Sequence, residues 1–247
     1  MDPHWSPPSP WQMRLALSLI KPFELALDVR LEGAERIPDQ RPLLFVGNHQ
    51  LMALDTPFLI AAVYRERGLL LRGLADDLIY AVPGLHQLAS HFGIVQASPE
   101  ACTSLFEQGQ CVLVYPGGAR EASKGAGRAY ELEWWGRLGF ARLALEHRTT
   151  VVPVAAAGLD DRVRIFLDRE DVLSSPLRRV VDALHVRHDL LPPVFVPKAR
   201  PKLRFRICEP IAIDHFDGRD SETAVRTLRS EVARALDHEL EAMLKEE

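Results

Sequence analysis

Two residues of types that catalyse proton transfer, His49 and Asp55, lie six positions apart within the stretch Leu43 to Ile60. The stretch opens with the apolar run Leu43 to Val46 and bends at Gly47-Asn48. Six helical steps would put the two side chains about 120° apart around the axis and roughly 9 Å along it, too far to touch. We therefore predict that at least part of this segment is a turn.

The residues around His49 and Asp55 supply such a turn. Gly47 and Asn48 tolerate unusual backbone angles, and Asp55-Thr56-Pro57 is a typical start of a helix. A carboxylate at a helix N-terminus would then face an imidazole at the end of a strand, which is the general-base half of a catalytic triad. The alternative is that Asp55 only caps the helix and His49 is only a polar loop residue.

A second informative stretch, Cys111 to Glu121, reads CVLVYPGGARE. Its β-branched run stops at Pro116, and Gly117 and Gly118 then let the backbone turn tightly and approach a ligand. Arg120 follows at once, so backbone N–H groups and a guanidinium could hold a phosphate or a developing oxyanion. Further along, Lys124 and Arg128 add two cations on a glycine-containing loop. Ordinary solvated charges on an exposed loop explain those two cations equally well.

Short apolar runs alternate with helical patterns from residue 29 onward, which indicates an α/β fold, a mixed central sheet of about seven strands flanked by helices. The predicted strands are 29–32, 43–47, 69–73, 92–95, 111–115, 151–155 and 203–207. The predicted helices are 57–66, 76–90, 99–107, 134–147 and 222–245. Residues 162–200 are less regular and are predicted to form a long excursion before the last strand.

Composition limits the classes of partner. The chain has 247 residues, 47% of them apolar, and a net charge of −4, which argues against nucleic acid as the main partner. Three cysteines lie far apart without a CxxC pair, which favours a reducing, cytoplasmic compartment. No spacing typical of metal ligands stands out, so we predict no metal site.

The N-terminal part of the chain differs from the rest. Residues 1–10 are rich in proline and polar residues and are predicted to be a disordered tail. Residues 11–28 are apolar but interrupted by charges and a proline, so they do not span a bilayer. Two placements fit them: an amphipathic helix in the plane of a membrane interface, or a helix packed on the domain formed by residues 29–247.

Together these motifs resemble the PlsC-like lysophospholipid and glycerolipid acyltransferase family. The family's asparagine-histidine pair and following aspartate match Asn48, His49 and Asp55. Its proline-glutamate-glycine-threonine-arginine motif aligns with the residues from Pro116 to Arg120. Its later valine-proline segment aligns with Val152 to Val154. The resemblance implies the family's fold over about residues 29–245.

Three departures from the family pattern are visible. Five residues instead of four separate His49 from Asp55, and Gly117 replaces the glutamate of the second motif. Gln96-Ala97-Ser98 stands where an arginine is usual. With these features the chain looks more like the branch of plant phytyl ester synthases and related diacylglycerol-type acyltransferases. That branch uses neutral alcohols, so the case for a phosphorylated acceptor is weaker.

The resemblance implies an O-acyltransferase that moves a fatty acyl group from acyl-CoA or acyl-ACP to a lipid alcohol and requires no cofactor. His49 and Asp55 are the expected catalytic residues. The expected substrate-binding residues are Asn48, Gly117, Gly118, Arg120, Glu121 and Lys124. The protein is expected at the inner face of a membrane as a peripheral protein. Two rival functions are a thioesterase or lipid hydrolase of the same fold and a non-catalytic lipid-binding adaptor.

Overall fold

The computed structural model of the chain describes residues 7–75, 89, 93–124, 127–160, 163–167, 169–183, 188, 194–197, 202–216 and 221–246. The described strands are β1 (Arg30–Glu32), β2 (Leu43–Gly47), β3 (Leu71–Ala75), β4 (Val95–Gln96), β5 (Cys111–Val114), β6 (Thr150–Ala157), β7 (Val163–Leu167), β8 (Val194–Pro197) and β9 (Arg204–Ile207). The described α-helices are α1 (Pro10–Ala26), α2 (Thr56–Arg67), α3 (Pro99–Glu107), α4 (Gly118–Ala122), α5 (Gly139–Glu146), α6 (Arg169–Ser174), α7 (Arg178–Ala183) and α8 (Ser221–Lys245).

Seven of these strands form one mixed sheet in the order β1-β9-β6-β2-β5-β3-β4. Only the β6–β9 pair is antiparallel, and the other neighbours run parallel. β2 lies at the centre between β5 and β6, and both of these run in its direction. The predicted mixed seven-stranded sheet is therefore confirmed, and the loops that follow β2, β5 and β6 leave it at the same edge.

The alternation of side chains along β2 divides the core into two layers. Leu44 and Val46 face a cluster with α3, α5 and α8, whereas Leu43 and Phe45 face a cluster with α1 and α2. All five residues of β2 are buried, as are all eight of β6. Strands buried on both faces read as continuous apolar runs, which is why the sequence located them well.

Helix α1 begins at a capping box in which Gln12 Oε1 accepts a hydrogen bond from the Ser9 N–H at 2.8 Å. One of its faces is buried on the domain, where Glu24 accepts a hydrogen bond from Arg65 at 2.9 Å. The opposite face exposes large apolar side chains: Trp11, Leu15, Leu19, Phe23 and Leu25. Among the residues that the structure describes, none of the helices is long and apolar enough to cross a membrane.

Several predicted boundaries differ from the observed ones for local reasons. The helix predicted at 134–147 begins only at Gly139, because Trp135 and Gly136 adopt positive φ angles that a right-handed helix excludes. The strand predicted at 151–155 runs from Thr150 to Ala157, since its last four residues pair with β9. The short helix α4 inside the second motif was not predicted.

The excursion predicted at 162–200 contains structure where it is described. β7 and β8 form a separate antiparallel pair, and α6 and α7 lie between them in the chain. Two predictions fall largely outside the described residues. The tail at 1–10 is described only from residue 7, and of the helix at 76–90 only Ala89 is described, in helical conformation.

Candidate active site

The edge formed by the carboxyl ends of β2, β5 and β6 collects the candidate residues. β2 leads into Asn48-His49, β5 into Tyr115-Pro116-Gly117, and β6 into Gly158-Leu159-Asp160. Parallel neighbours end at the same edge, where open α/β sheets usually bind their ligands. The topology therefore brings together three segments that lie more than forty positions apart in the sequence.

Two amides on either side of His49 tie this segment to β6. Asn48 Nδ2 donates to Ala156 O at 2.9 Å, and Asn48 Oδ1 accepts from Ala156 N at 2.8 Å. Gln50 Nε2 donates to the same carbonyl at 2.8 Å, and its Oε1 accepts from Leu159 N at 3.1 Å. Asn48, predicted to bind substrate, is fully buried and both of its amide atoms are used by the main chain of β6.

His49 is a buried imidazole with an unsatisfied nitrogen. Its Nδ1 is buried and has no hydrogen-bond partner among the residues the structure describes. The ring stacks on Tyr115, with 3.9 Å between ring centroids and 15° between ring planes. Burial, with a smaller contribution from the positive charge of Lys124, lowers the pKa of His49 to about 3. The ring is therefore neutral near pH 7, which is the form a general base requires.

Asp55 is the residue immediately before α2 and is fully buried. Neither of its carboxyl oxygens has a hydrogen-bond partner within the described part of the chain. Burial raises the pKa of Asp55 to about 7, although the nearby main-chain N–H groups of Asp55 and Gln50 lower it in part. The hydrogen bond predicted between His49 and Asp55 is thus not formed, and neither His49 Nδ1 nor the Asp55 carboxyl has a hydrogen-bond partner among the described residues.

Tyr115 contacts His49 and the residue that follows Asp55. Its ring stacks on His49, and its hydroxyl lies 3.3 Å from Thr56 Oγ1, next to Asp55 in the sequence. Burial raises the pKa of Tyr115, and the charge of Asp55 raises it further. A Cβ at position 47 would lie only 2.9 Å from Tyr115 Cε1. The absence of a side chain at Gly47 therefore leaves room for the tyrosine ring.

Lys124 and Glu121 were predicted to bind substrate, and the structure places both inside the protein. Lys124 Nζ lies 3.0 Å from Asp160 Oδ2 and donates to the main-chain carbonyl of His49 at 3.2 Å. Glu121 Oε1 accepts from the main-chain N–H of His49 at 2.9 Å. Asp160 Oδ1 accepts from the N–H of Leu51 at 2.7 Å. Glu121, Lys124 and Asp160 therefore hold the main chain on which the imidazole is carried.

Arg120 lies at the surface, unlike the buried Glu121 and Lys124, and the glycine turn before it uses one of its N–H groups internally. Gly118 has a φ of +56°, and its N–H donates to Tyr115 O at 3.0 Å, so this N–H already has an acceptor. Arg120 is exposed, with its guanidinium carbon 5.4 Å from the centre of the Trp135 ring. Arg137 Nη1 donates to Pro116 O at 3.0 Å, which adds a cation to the turn.

Sequence reasoning missed Gln50, Tyr115, Arg137 and Asp160. A signal was present for two of them: Gln50 follows His49 directly, and Asp160 ends the long apolar run of β6. Asp160 could have been recognised as the first polar side chain after the predicted strand at 151–155. Nothing local marks Tyr115 or Arg137, because the role of each follows from its packing against distant segments.

Comparison with known proteins adds an independent line of evidence. A family model described as acyltransferase matches residues 28–157, a range that includes His49, Asp55 and the whole glycine turn. Phytyl ester synthase 1, chloroplastic, from Arabidopsis thaliana is 32% identical over 153 residues, covering 60% of this chain and 22% of that protein. The human DGAT1/2-independent enzyme synthesizing storage lipids is 26% identical over 134 residues, covering 54% of this chain and 41% of that protein.

The chain thus spans between about a fifth and two fifths of the length of these relatives. Among solved structures, the 1-acyl-sn-glycerophosphate (LPA) acyltransferase PlsC from Thermotoga maritima superposes with a TM-score of 0.59. The match covers 94% of this chain and 79% of that one at 18% sequence identity. A likeness at this identity supports the fold, and the fold agrees with the mixed sheet described above.

Proposed function

The chain belongs to the acyltransferase family, and from that premise we propose that it moves a fatty acyl group from an acyl thioester to a hydroxyl of a lipid. The observation that carries this proposal is the buried His49 ring. It is neutral near pH 7, lies at the carboxyl edge of the sheet, and has an unsatisfied nitrogen. Buried polar groups without a partner are rare in folded proteins and often mark functional positions.

In the proposed reaction, His49 takes the proton from the acceptor hydroxyl while that oxygen attacks the thioester carbonyl. The new C–O bond forms as the carbonyl oxygen becomes negative, and the C–S bond then breaks. The departing sulfur takes the proton back from the imidazolium, so no net charge is left on the ring. In its ionised form, Asp55 would stabilise the imidazolium that exists during this interval.

We propose a neutral lipid alcohol as the acceptor. The charge of Lys124 is already compensated by Asp160, and Arg120 lies at the surface against Trp135. Neither Lys124 nor Arg120 therefore offers a buried, unpaired positive charge that could bind an anionic acceptor. The names of two relatives, a phytyl ester synthase and an enzyme synthesizing storage lipids, are consistent with neutral acceptors.

We further propose that the protein works on a membrane surface, with α1 in the interface. The exposed face of α1 is apolar, and its exposed charges, Arg14 and Lys21, are both basic. Its acid, Glu24, is buried and paired with Arg65. A helix with one face on the domain and an apolar, basic-edged face toward solvent suits an anionic lipid surface.

The test of the proposed reaction is product analysis by mass spectrometry. Purified protein is incubated with labelled acyl-CoA or acyl-ACP and with neutral or phosphorylated lipid alcohols, including phytol, diacylglycerol and lysophosphatidate. We expect ester formation that depends on the alcohol and falls by at least about a hundredfold in His49→Ala, the scale of general-base catalysis. The control is His215→Ala, which removes an exposed histidine paired with Glu231.

Two outcomes would contradict the proposal. Release of free fatty acid at a rate that no added alcohol lowers would identify a hydrolase. Binding of lipid without turnover, unchanged in His49→Ala, would identify a lipid-binding protein. Preference for lysophosphatidate over neutral alcohols would contradict the proposed acceptor class alone.

A further inference from the structure

Gly117 is a glycine for an unusual reason. Its backbone angles, φ −69° and ψ −23°, are open to any L-residue. A Cβ at this position, however, would come closer than 3.0 Å to Glu121 Oε2, Cβ and Cδ. The space that a side chain at position 117 would need is therefore occupied by the Glu121 side chain, which reaches back from one helical turn later.

The Glu121 carboxyl uses this space to reach His49. Its Oε1 accepts the His49 N–H at 2.9 Å, while Lys124 Nζ donates to the His49 carbonyl at 3.2 Å. Asp160 pairs with Lys124 and accepts a hydrogen bond from the N–H of Leu51. The supported main chain therefore extends two residues beyond His49. Glu121 and Lys124 are both buried, so water cannot take over these bonds.

We propose that Gly117 and Glu121 are a coupled pair whose role is to position His49, with Lys124 and Asp160 completing the support. Glu121 is then a positioning residue that acts through the main chain of His49. This inference rests on the proposed function, because it assigns His49 the role of base.

The first test separates the hydrogen bond from the size of the side chain. Glu121→Gln keeps an oxygen that can accept the His49 N–H, whereas Glu121→Met keeps the length and removes the acceptor. We expect Glu121→Gln to retain kcat within about threefold and Glu121→Met to lose about tenfold or more, since small misplacements of catalytic groups are costly. KM for the acyl donor should stay within about twofold in both variants, because a residue that only positions His49 adds no contact to the donor.

Three results of this test overturn the positioning role. Wild-type kcat in both variants would show that the hydrogen bond is unimportant. A rise of KM with unchanged kcat would make Glu121 a substrate ligand. Loss of kcat in Glu121→Gln as large as in Glu121→Met would show that the acceptor at Oε1 is not what matters.

The second test is a double-mutant cycle on the free energy of unfolding and needs no enzyme assay. Gly117→Ala should destabilise the wild-type protein clearly but cost little in a Glu121→Gly background, where the obstructing side chain is absent. Ala119→Gly is the matched control for a glycine in the same helix, and Gly117→Ala should cost as much in that background as in the wild type. Equal costs of Gly117→Ala in all three backgrounds would refute the pair.

The two tests also separate this inference from the proposed function. If the wild-type protein transfers no acyl group to any acceptor, the proposed function fails while the unfolding cycle still decides whether Gly117 and Glu121 are coupled. If transfer is observed and the cycle shows no coupling, the pair is wrong and the acyltransferase proposal stands.

Discussion

At the scale of single residues, the site is defined by buried groups whose hydrogen bonds are missing. His49 Nδ1 and the carboxyl oxygens of Asp55 are buried without partners among the residues described. Leaving such groups unsatisfied costs stability, on the order of 1–3 kcal/mol each. Buried polar groups without a partner are rare, and some of them serve catalysis. The stacked ring of Tyr115 is another feature of the His49 environment.

Tyr115 should support the His49 ring by its aromatic face. We expect Tyr115→Phe to keep kcat within about twofold and Tyr115→Leu to lower it by roughly two- to tenfold, the range of a stacked aromatic pair. Initial rates of acyl transfer at saturating donor measure this difference. If the phenylalanine variant were as impaired as the leucine variant, the contact with Thr56 through the hydroxyl would be the important one.

Asp55 and Glu121 should make the stability of the fold depend on pH. Burial raises the pKa of each to about 7, above the ordinary values of 3.8 and 4.5. The folded state then binds their protons more tightly than the unfolded chain, so their contributions weaken as pH rises from about 4 to about 7 and level off above that.

We therefore expect Asp55→Asn and Glu121→Gln each to gain stability relative to wild type as pH rises through this window. Urea unfolding near pH 5 and near pH 8 measures the change. The lowered pKa of His49 acts in the opposite direction, because the folded state resists its protonation below about pH 6.5. The comparison of each variant with wild type at the same pH removes that contribution.

At the scale of elements, the turn after β2 is held chiefly by its neighbour β6. The amides of Asn48 and Gln50 both bind the carbonyl of Ala156, and Asn48 also binds its N–H. These bonds fix the exit of β2 relative to β6, whereas α4 supplies the support from the β5 side through Glu121. His49 is thus placed between two parallel strands by contacts from both of them.

Asn48→Ala should consequently destabilise the fold. The substitution leaves the buried N–H of Ala156 without its amide partner, at an expected cost of about 1–3 kcal/mol, whereas the Ala156 carbonyl keeps its bond from Gln50. Denaturant unfolding measures this change. The control is Gln108→Ala, which removes a part-buried amide that donates to Ser104 O and accepts from Gln110 Nε2, and it should cost much less.

At the scale of the whole molecule, the surface of α1 and the candidate site belong to one packed unit. Helix α1 packs on α2 through its buried face and the Glu24–Arg65 pair, and α2 begins directly after Asp55. A helix lying in a membrane interface would therefore hold the sheet edge at a fixed relation to the lipid. This arrangement fits a substrate that remains dissolved in the membrane.

The exposed face of α1 should accordingly govern binding to vesicles. We expect Leu19→Glu to reduce the vesicle-bound fraction several-fold, because a charge replaces a side chain that is 60% exposed at the centre of the apolar face. Arg14 and Lys21 should make binding stronger on anionic than on neutral vesicles and weaker in high salt. Co-sedimentation with vesicles of both compositions measures both effects.

The control for α1 is Leu177→Glu, the same substitution at an apolar residue that is 50% exposed elsewhere on the surface. Equal losses in the two variants would mean that α1 is not the contact. Unchanged binding in Leu19→Glu would also contradict the proposed orientation of the helix.

The sequence by itself determined the alternation of strands and helices, because apolar runs and their spacing are local properties that survive folding. It also singled out His49, Asp55 and the glycine turn, because their residue types are typical of proton transfer and of anion binding. Buried central strands were located within a few residues, and the ends of two elements were missed where positive φ angles before α5 or pairing of β6 with β9 set them.

Only the tertiary structure decided what surrounds those residues. Asp160 reaches Leu51 across 109 positions of sequence, and Glu121 reaches His49 across 72. Such contacts depend on the order of strands in the sheet, which no local pattern records. Burial likewise set the pKa values of His49 and Asp55, since the cost of a charge depends on how completely the fold excludes water from it.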